Sequence, residues 1–433
     1  MAVTGRAVFL AFVGVLAAFV AAPAGAWVPW AVLGLVLAVL LADLVLAANS
    51  RAVRLEHGGA TSVRLGEPAE VWLVVANPGR RTLRATVRDA WRPSAGAAPR
   101  THDLVVPAGG RRMVRTVLTP SRRGDQHSAH VTVRSYGPLR LAARQSSHAV
   151  PWTVRVLPPF RSRRHLPGKL SKLRELEGQH RAMIRGQGSE FDSLREYVPG
   201  DDVRSIDWRA TARRETVVVR TWRPERDRRI LLVLDTSRTS AGRVGDLPRL
   251  EHSMDAALLL TALAAKAGDR VDFLAYDRRV RARVQSQGRG STLPAIVSAM
   301  APLEPELVEV DAAGMVAAVL GGQRRSRQLV VLLTDLNAAA LEAGLLPRLA
   351  SLTARHLVLV AAVADPHVAQ MAAERGDARA VYRAAAAQRT IVERRRVTAE
   401  LRRRGVEVVE APGEELAPAL ADAYIALKAQ GRL

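Results

Sequence analysis

The chain of 433 residues contains no cysteine. That excludes a disulfide framework, thiolate metal sites and cysteine nucleophiles, and leaves the compartment open. Lysine is scarce as well: Lys169, Lys172, Lys266 and Lys428 are the four present, so arginine supplies most of the 64 basic residues and the formal charge of +23. The arginines are scattered through every segment, and aromatics make up 4% of the chain. Without basic runs interleaved with aromatic rings there is no stacking platform for a strand, and a nucleic-acid role is set aside. An excess of arginine and alanine is what a GC-rich genome produces. If the basicity has a target, anionic lipid headgroups suit it better.

Signatures of catalysis are missing too. No Gly-x-x-x-x-Gly-Lys-Ser/Thr loop occurs, so nucleotide hydrolysis is not expected. Pro167-Gly168-Lys169-Leu170 lacks the upstream glycine and the hydroxyl, and Gly186-Gln187-Gly188 is too short to bind a cofactor. There is no His-Glu-x-x-His, and the ten histidines are scattered; His252 reads as a surface or capping residue.

Long apolar runs are present, at one end. Ala7 to Ala22 is uncharged, and Trp27 to Ala48 is broken by Asp43 alone. Each approaches the ~20 residues a helix needs to cross a bilayer. Trp27 and Trp30 suit the headgroup interface, and Arg6, Arg51 and Arg54 flank the pair, which predicts cytoplasmic ends around an outward-facing turn. Ala22-Pro23-Ala24-Gly25-Ala26 resembles a cleavage site, but the second apolar run argues for a two-helix transmembrane hairpin over 1–50. The expected location is a bacterial inner membrane, with the bulk of the chain cytoplasmic. Asp43 is expected near the cytoplasmic end, reaching water or an arginine.

Residues 51–157 carry short alternating stretches such as Glu70–Val75, Leu83–Val87 and Val131–Val133. Asn77-Pro78-Gly79, Pro107–Gly110 and Tyr136-Gly137-Pro138 punctuate them. That pattern predicts an all-β sandwich serving as a spacer or interaction module. A basic linker or solvated helix face follows over 158–187. From 229 to 433 the rhythm becomes strand then helix. Ile230–Leu234, Val271–Tyr276, Leu329–Leu333, His356–Val360 and Val406–Val409 alternate with helical stretches, including Leu250–Ala267 and Glu414–Lys428. Continuous apolar strands of this kind specify a doubly wound α/β sheet, with ligands gathering beyond the carboxyl ends of the strands.

Between these lies a segment at 188–228 containing Gly188-Ser189-Glu190-Phe191-Asp192, Arg195-Glu196-Tyr197, Pro199-Gly200-Asp201-Asp202, Arg204, Ile206-Asp207-Trp208 and Ala212-Arg213. Its candidate partner-binding residues are Arg195, Glu196, Tyr197, Asp201, Asp202, Arg204, Asp207 and Trp208. Two readings stay open: a docking surface fixed by the Pro-Gly turn, or a structural ion-pair network with Trp208 plugging a core. The segment closely resembles the signature of the family called domain of unknown function 58. The likeness runs on through Leu250-Glu251 ahead of a helix and Gly405–Val409, and upstream through the hairpin and sandwich. Members of that family resemble von Willebrand factor type A proteins and are commonly encoded beside MoxR-type AAA+ ATPases. The resemblance therefore implies such an ATPase as partner, acting with an unknown client protein at the lipid bilayer in assembly or maturation of a complex.

Asp235-Thr236-Ser237-Arg238-Thr239 follows the first strand and matches the Asp-x-Ser-x-Ser/Thr motif of the type A family. The family's later ligands match Thr292, after Gly290-Ser291, and Asp335, after Thr334. The resemblance thus implies a metal-ion-dependent adhesion-type site of Asp235, Ser237, Thr239, Thr292 and Asp335 holding Mg²⁺ through hard oxygen ligands, its open position filled by a partner's carboxylate. Arg238 inside the motif and Leu336 in place of a glycine depart from the pattern. The other reading is that Asp235 and the hydroxyls cap the next helix and bind one another. The expectation is a binding module and not an enzyme. The alternative is a metal-dependent hydrolase using the same aspartates.

Overall fold

The computed structural model describes residues 2–183, 190–214, 216–223, 228–286, 291–321 and 327–433. Gly186, Gln187, Gly188, Ser189 and Gly290 lie outside them. The chain forms two compact units, Met1–Pro159 and Phe160–Leu433.

The first unit opens with two apolar helices, Gly5–Ala21 and Val28–Leu46. They run close together: a side chain added at Gly14 would meet Val36 at 2.6 Å. The stretch Val28–Ala52, 25 residues with mean hydropathy 2.7, is long and apolar enough to cross a membrane, and Gly5–Val20 is apolar but shorter. Asp43 does not reach water or an arginine as the sequence suggested. It is 1% exposed and accepts hydrogen bonds from the backbone N–H groups of Leu139, Leu141 and Ala142 at 2.8, 2.8 and 3.0 Å. Charge-assisted bonds contribute about 1.5–3 kcal/mol each, so this carboxylate fastens the second helix to the sheet beyond it.

That sheet belongs to a β-rich region. Alternating burial along Ala69–Ala76 and Leu83–Trp91 puts Val71, Leu73, Val75, Leu83, Ala85 and Val87 inward, as a half-buried pleat requires. One sheet pairs Ala142–Leu157 with Gly124–Tyr136, that strand with Leu83–Trp91, and this with Thr101–Val106. The other runs Arg54–Gly59, Ala69–Ala76, Arg111–Leu118, Ala97–Ala98. His57 crosses between the sheets, its ring nitrogens 2.7 Å from the Val150 carbonyl and 3.0 Å from Asp89 Oδ2.

Near the start of the second unit is a helix, Leu166–Met183, within the stretch read from sequence as a basic linker or a solvated helix face. It is docked: Leu173 is buried, and Lys169 and Lys172 both reach Asp422, at 2.6 and 3.2 Å. The α/β sheet has the order Val280–Val284, Arg270–Tyr276, Arg229–Asp235, Leu329–Leu333, Leu357–Ala364, Glu407–Pro412. All neighbours are parallel except Val280–Val284, which folds back antiparallel on Arg270–Tyr276. The sequence reading had no place for that edge strand. Helices cover both faces: Val397, Leu401, Met315 and Leu349 pack over Val233, Val330, Leu332 and Val358, while Arg249–Lys266 and Gly413–Ala429 pack together on the other side. The helical stretch read from sequence as Leu250–Ala267 is the helix Arg249–Lys266, with Leu250 and Glu251 in its first turn.

Candidate functional site

The sheet order fixes where a site can form. Arg229–Asp235 is the earliest strand of that sheet in the chain, and its neighbours on either side are Arg270–Tyr276 and Leu329–Leu333. Connections leave in opposite directions there, so the carboxyl ends of Arg229–Asp235 and Leu329–Leu333 bound a crevice at the topological switch point.

Asp235 ends its strand, is buried, and gathers donors from both sides of that crevice. Its Oδ1 accepts from Ser237 N at 2.8 Å. Its Oδ2 accepts from Thr239 Oγ1 at 3.1 Å and from Thr334 Oγ1 at 2.7 Å. Ser237 Oγ and Thr239 Oγ1 lie 3.2 Å apart. The loop is pinned on each flank: Thr236 N donates to the Tyr276 carbonyl at 2.9 Å, Arg238 N to the Val308 carbonyl at 2.9 Å, and Ser240 N to the Ser237 carbonyl at 3.1 Å. One carboxylate and three hydroxyls thus converge, and all are hard oxygen donors.

The other two expected ligands are engaged elsewhere. Asp335 is nearly buried, with Arg394 Nη1 at 3.2 Å and Arg249 Nη1 at 3.6 Å. Arg394 also reaches Glu410 at 2.8 Å and the Val363 carbonyl at 3.3 Å. Thr292 Oγ1 lies 3.2 Å from Ser286 Oγ. Among the described residues no three His, Cys, Asp or Glu side chains stand close enough to share a metal. Asp235, Ser237 and Thr239 therefore fit a hard cation as a partial shell, and the two guanidinium groups at Asp335 work against that residue's joining it.

Both departures from the type A motif have a structural account. Arg238 is exposed and ion-pairs with Glu309, which offsets the repulsion its charge would exert on a cation. Leu336 is fully buried in the same apolar core as Leu332 and Leu341, so its side chain anchors the loop where glycine would leave it loose. Sequence reasoning missed Thr334, Arg249, Arg394 and Glu410 as members of this neighbourhood. Thr334 stood next to Asp335 and could have been found as a hydroxyl at a strand end. The arginines gave no signal in so arginine-rich a chain.

The signature segment folds as an antiparallel pair, Glu190–Glu196 with Val218–Arg223. Its carboxylates serve it locally. Asp201 takes Arg195 Nη2 at 2.6 Å and Val198 N at 3.0 Å. Asp202 takes Arg204 N at 2.9 Å. Asp207 takes Arg209 N and Ala210 N, both at 3.0 Å, at the start of helix Trp208–Arg214, and Arg220 Nε at 2.8 Å. The Arg220 bond, then the Ala210 N–H, holds the Asp207 carboxyl below the usual carboxylate range. The Arg195 bond does the same for Asp201. Tyr197 N donates to the Val217 carbonyl at 2.8 Å, and Glu196 and Arg204 side chains are exposed. Trp208 does not plug a core: it is 67% exposed, and Val203 is 60% exposed.

Fold and site together define an α/β protein with a carboxylate–hydroxyl cluster at its sheet edge, carried behind an apolar N-terminal helix and a β-rich region. The family described as protein of unknown function DUF58 matches residues 193–409, and the chain belongs to it. Uncharacterised proteins of Mycobacterium bovis and Mycobacterium tuberculosis are each 33% identical over 195 residues, which is 44% of this chain and 60% of theirs. The chain thus spans about three-fifths of those curated relatives. Among solved structures, the CARDB domain of a Pyrococcus furiosus protein, in complex with di-metal ions, is 15% identical. It covers 24% of this chain and 91% of its own, with a TM-score of 0.19, too low to bear on fold or function.

Proposed function

We propose that this chain is a membrane-anchored protein-binding module and not an enzyme, working with a MoxR-type AAA+ ATPase in the assembly or maturation of a protein complex. The ATPase and its client come from the family resemblance. The observation that carries the binding reading is the convergence of Ser237, Thr239 and Thr334 on Asp235 at the switch point, where α/β sheets take their ligands. In this reading Asp235, Ser237 and Thr239 hold Mg²⁺, which when bound supplies an open position for a partner's carboxylate. The type A-like fold and a two-span anchor belong to the same proposal. The signature segment adds a second contact, centred on Trp208 with the exposed Val203 on the same segment and not on its aspartates, because exposed tryptophan is what interfaces are built around.

The test is calorimetry of Mg²⁺ into the full-length chain in detergent, with wild type beside Asp235→Asn, and recovery of bound proteins from solubilised membranes with and without EDTA. The expected outcome is binding at millimolar or lower Mg²⁺ that the Asp235→Asn substitution abolishes, together with EDTA-sensitive recovery of an AAA+ ATPase. Equal heats from both proteins would remove the cation from the proposal. Recovery of the ATPase unchanged by EDTA would move its contact away from Asp235.

A further inference from the structure

The end of the β-rich region fastened to Asp43 has a composition unlike the rest of that region. Asp43 sits three residues before the end of helix Val28–Leu46, within about 5 Å of it at 1.5 Å per residue. The backbone it grips, Leu139 to Ala142, is therefore held at the level where the apolar helix stops. The attachment is made more than once. Arg144 Nε donates to the Leu44 carbonyl at 3.0 Å, and Arg81 donates to the Val45 carbonyl. Thr4 Oγ1, at the start of the first helix, donates to the carbonyls of Arg140 and Leu141 at 2.7 and 3.0 Å.

Three connections meet at this end. Arg84 pairs with Tyr136, which brings 77–82 beside 137–141, and Asn77 N donates to the Gly110 carbonyl at 2.9 Å, which adds 107–112. They carry Arg80, Arg81, Arg111, Arg112 and Arg140, and none contains an aspartate or glutamate. The opposite end is mixed, with Glu67 and Asp125 among its arginines. At the tip of the basic end Leu139 is 57% exposed. Its N–H is bonded to Asp43, two and three residues before the exposed Val45 and Leu46 at the end of the helix.

We propose that this end of the β-rich region rests on the bilayer and binds anionic phospholipid headgroups through Arg80, Arg112 and Arg140, with Leu139 set among the upper acyl chains. The occupant follows from continuity: the apolar helix leads into its own bilayer directly beside these arginines, and a leaflet carrying anionic lipid attracts a basic juxtamembrane surface. Rigid attachment through Asp43 means that the lipid contact fixes the orientation of the sandwich, which a loose tether would leave free. The inference rests on the reading that Val28–Ala52 crosses the membrane.

A chain without cysteine takes single-cysteine labels cleanly. Nitroxides at Leu139→Cys, Val117→Cys and Leu37→Cys are read by power-saturation spin resonance. The full-length protein is placed in nanodiscs of phosphatidylcholine, alone or mixed with phosphatidylglycerol. Val117 is exposed on Arg111–Leu118, and Leu118 pairs with Ala69 where Arg111 pairs with Ala76, so it lies roughly 20 Å from the basic end at 3.3 Å per residue. The expected result is a label at 139 protected from an aqueous relaxant and reached by oxygen, and a label at 117 in water. A label at 139 as wet as that at 117 overturns the proposal. The label at 37 reports separately whether the helix crosses, so failure of that reading is seen by itself. The triple variant Arg80→Glu, Arg112→Glu, Arg140→Glu should lose several-fold enrichment for phosphatidylglycerol in the lipid retained on purification. Unchanged enrichment would also overturn the proposal.

Discussion

The carboxyl edge of the α/β sheet around Asp235 and the β-hairpin of the signature segment around Asp207 are both dense in charge, and they use their carboxylates in opposite ways. Asp235 is buried and draws donors from residues as far away as Thr334. Asp335 is met by Arg394 from a helix much later in the chain. In the hairpin, Asp201, Asp202 and Asp207 bond mostly within three residues of themselves, and Arg195 and Arg220 complete the set. A buried carboxylate assembled by tertiary structure can be withdrawn only at a cost to the fold, so it is specified by the whole sheet. A surface carboxylate that caps its own turn shapes the loop and leaves recognition to what remains exposed, here Trp208 and Val203.

The largest expected effect is at the sheet edge. Asp235→Ala leaves Ser237 N and the Thr239 and Thr334 hydroxyls without their shared acceptor. Unsatisfied buried donors cost about 1–3 kcal/mol each and hydroxyls can turn away, so a loss of about 3 kcal/mol is expected in chemical denaturation of the full-length chain. A loss no greater than that of an exposed substitution would mean that Asp235 is held no more firmly than Asp202, and the contrast would collapse.

Next comes Arg394→Met. It removes the nearer of the two partners of Asp335 and a partner of Glu410. Breaking a buried pair costs about 3–5 kcal/mol, and with Arg249 still present about 2 kcal/mol is expected. Adding Asp335→Leu to that variant should return part of the loss, because the stranded charge is then gone. No recovery would show that Asp335 does more than neutralise its arginines. Calorimetry on Arg394→Met sharpens the point further, since freeing Asp335 should tighten Mg²⁺ binding if Asp235 and Asp335 can share an ion.

How much of this was legible followed the range of the interactions. The apolar runs Ile230–Leu234 and Leu329–Leu333 named their strands because burial on both faces leaves no other pattern. The alternation of Glu70–Val75 named its strand for the complementary reason. The edge strand Val280–Val284, written Val-Arg-Ala-Arg-Val, was lost among arginines that elsewhere mark helix surfaces. Asp43 was visible as an exception in an apolar run. Its three amide partners lie about a hundred residues away, just after a turn that Gly137-Pro138 marks, but nothing in the sequence ties that turn to Asp43. At the sheet edge, the motif residues Asp235, Ser237 and Thr239 come together locally, which is why a short pattern could find them. Thr292 and Asp335 depend on how distant loops close, and their spacing says nothing about Ser286 or Arg394.

Acid tests the signature segment by another route. The folded hairpin holds Asp201 and Asp207 below the ordinary carboxylate value of 3.8. Groups with depressed values contribute stability that is present above the unfolded value and lost as pH falls through the folded one. The amide resonances of Arg209 and Ala210, which report the Asp207 cap, should therefore titrate with a midpoint below 3.8. A midpoint at or above that value would mean the Arg220 contact does not persist in solution, and the hairpin would have to be shaped by its backbone pairing alone.

The smallest effect on stability is expected from Trp208→Ala, and it is the most informative about the hairpin. The ring is mostly exposed, and surface substitutions away from caps and cores generally stay within about 0.5 kcal/mol. Replacing it should leave the denaturation midpoint of the full-length chain unchanged while reducing the AAA+ ATPase recovered from solubilised membranes. Asp207→Ala should do the reverse first, loosening the turn before any loss of recovery, because Asp207 bonds Arg209, Ala210 and Arg220 and presents little of itself. If Trp208→Ala lowers stability as Asp207→Ala does, the ring is packed in solution, and the hairpin then belongs with the sheet edge as a structural element. If it changes neither stability nor recovery, the exposed apolar surface is not the contact, and the search moves to Arg204 and Glu196 on the same hairpin.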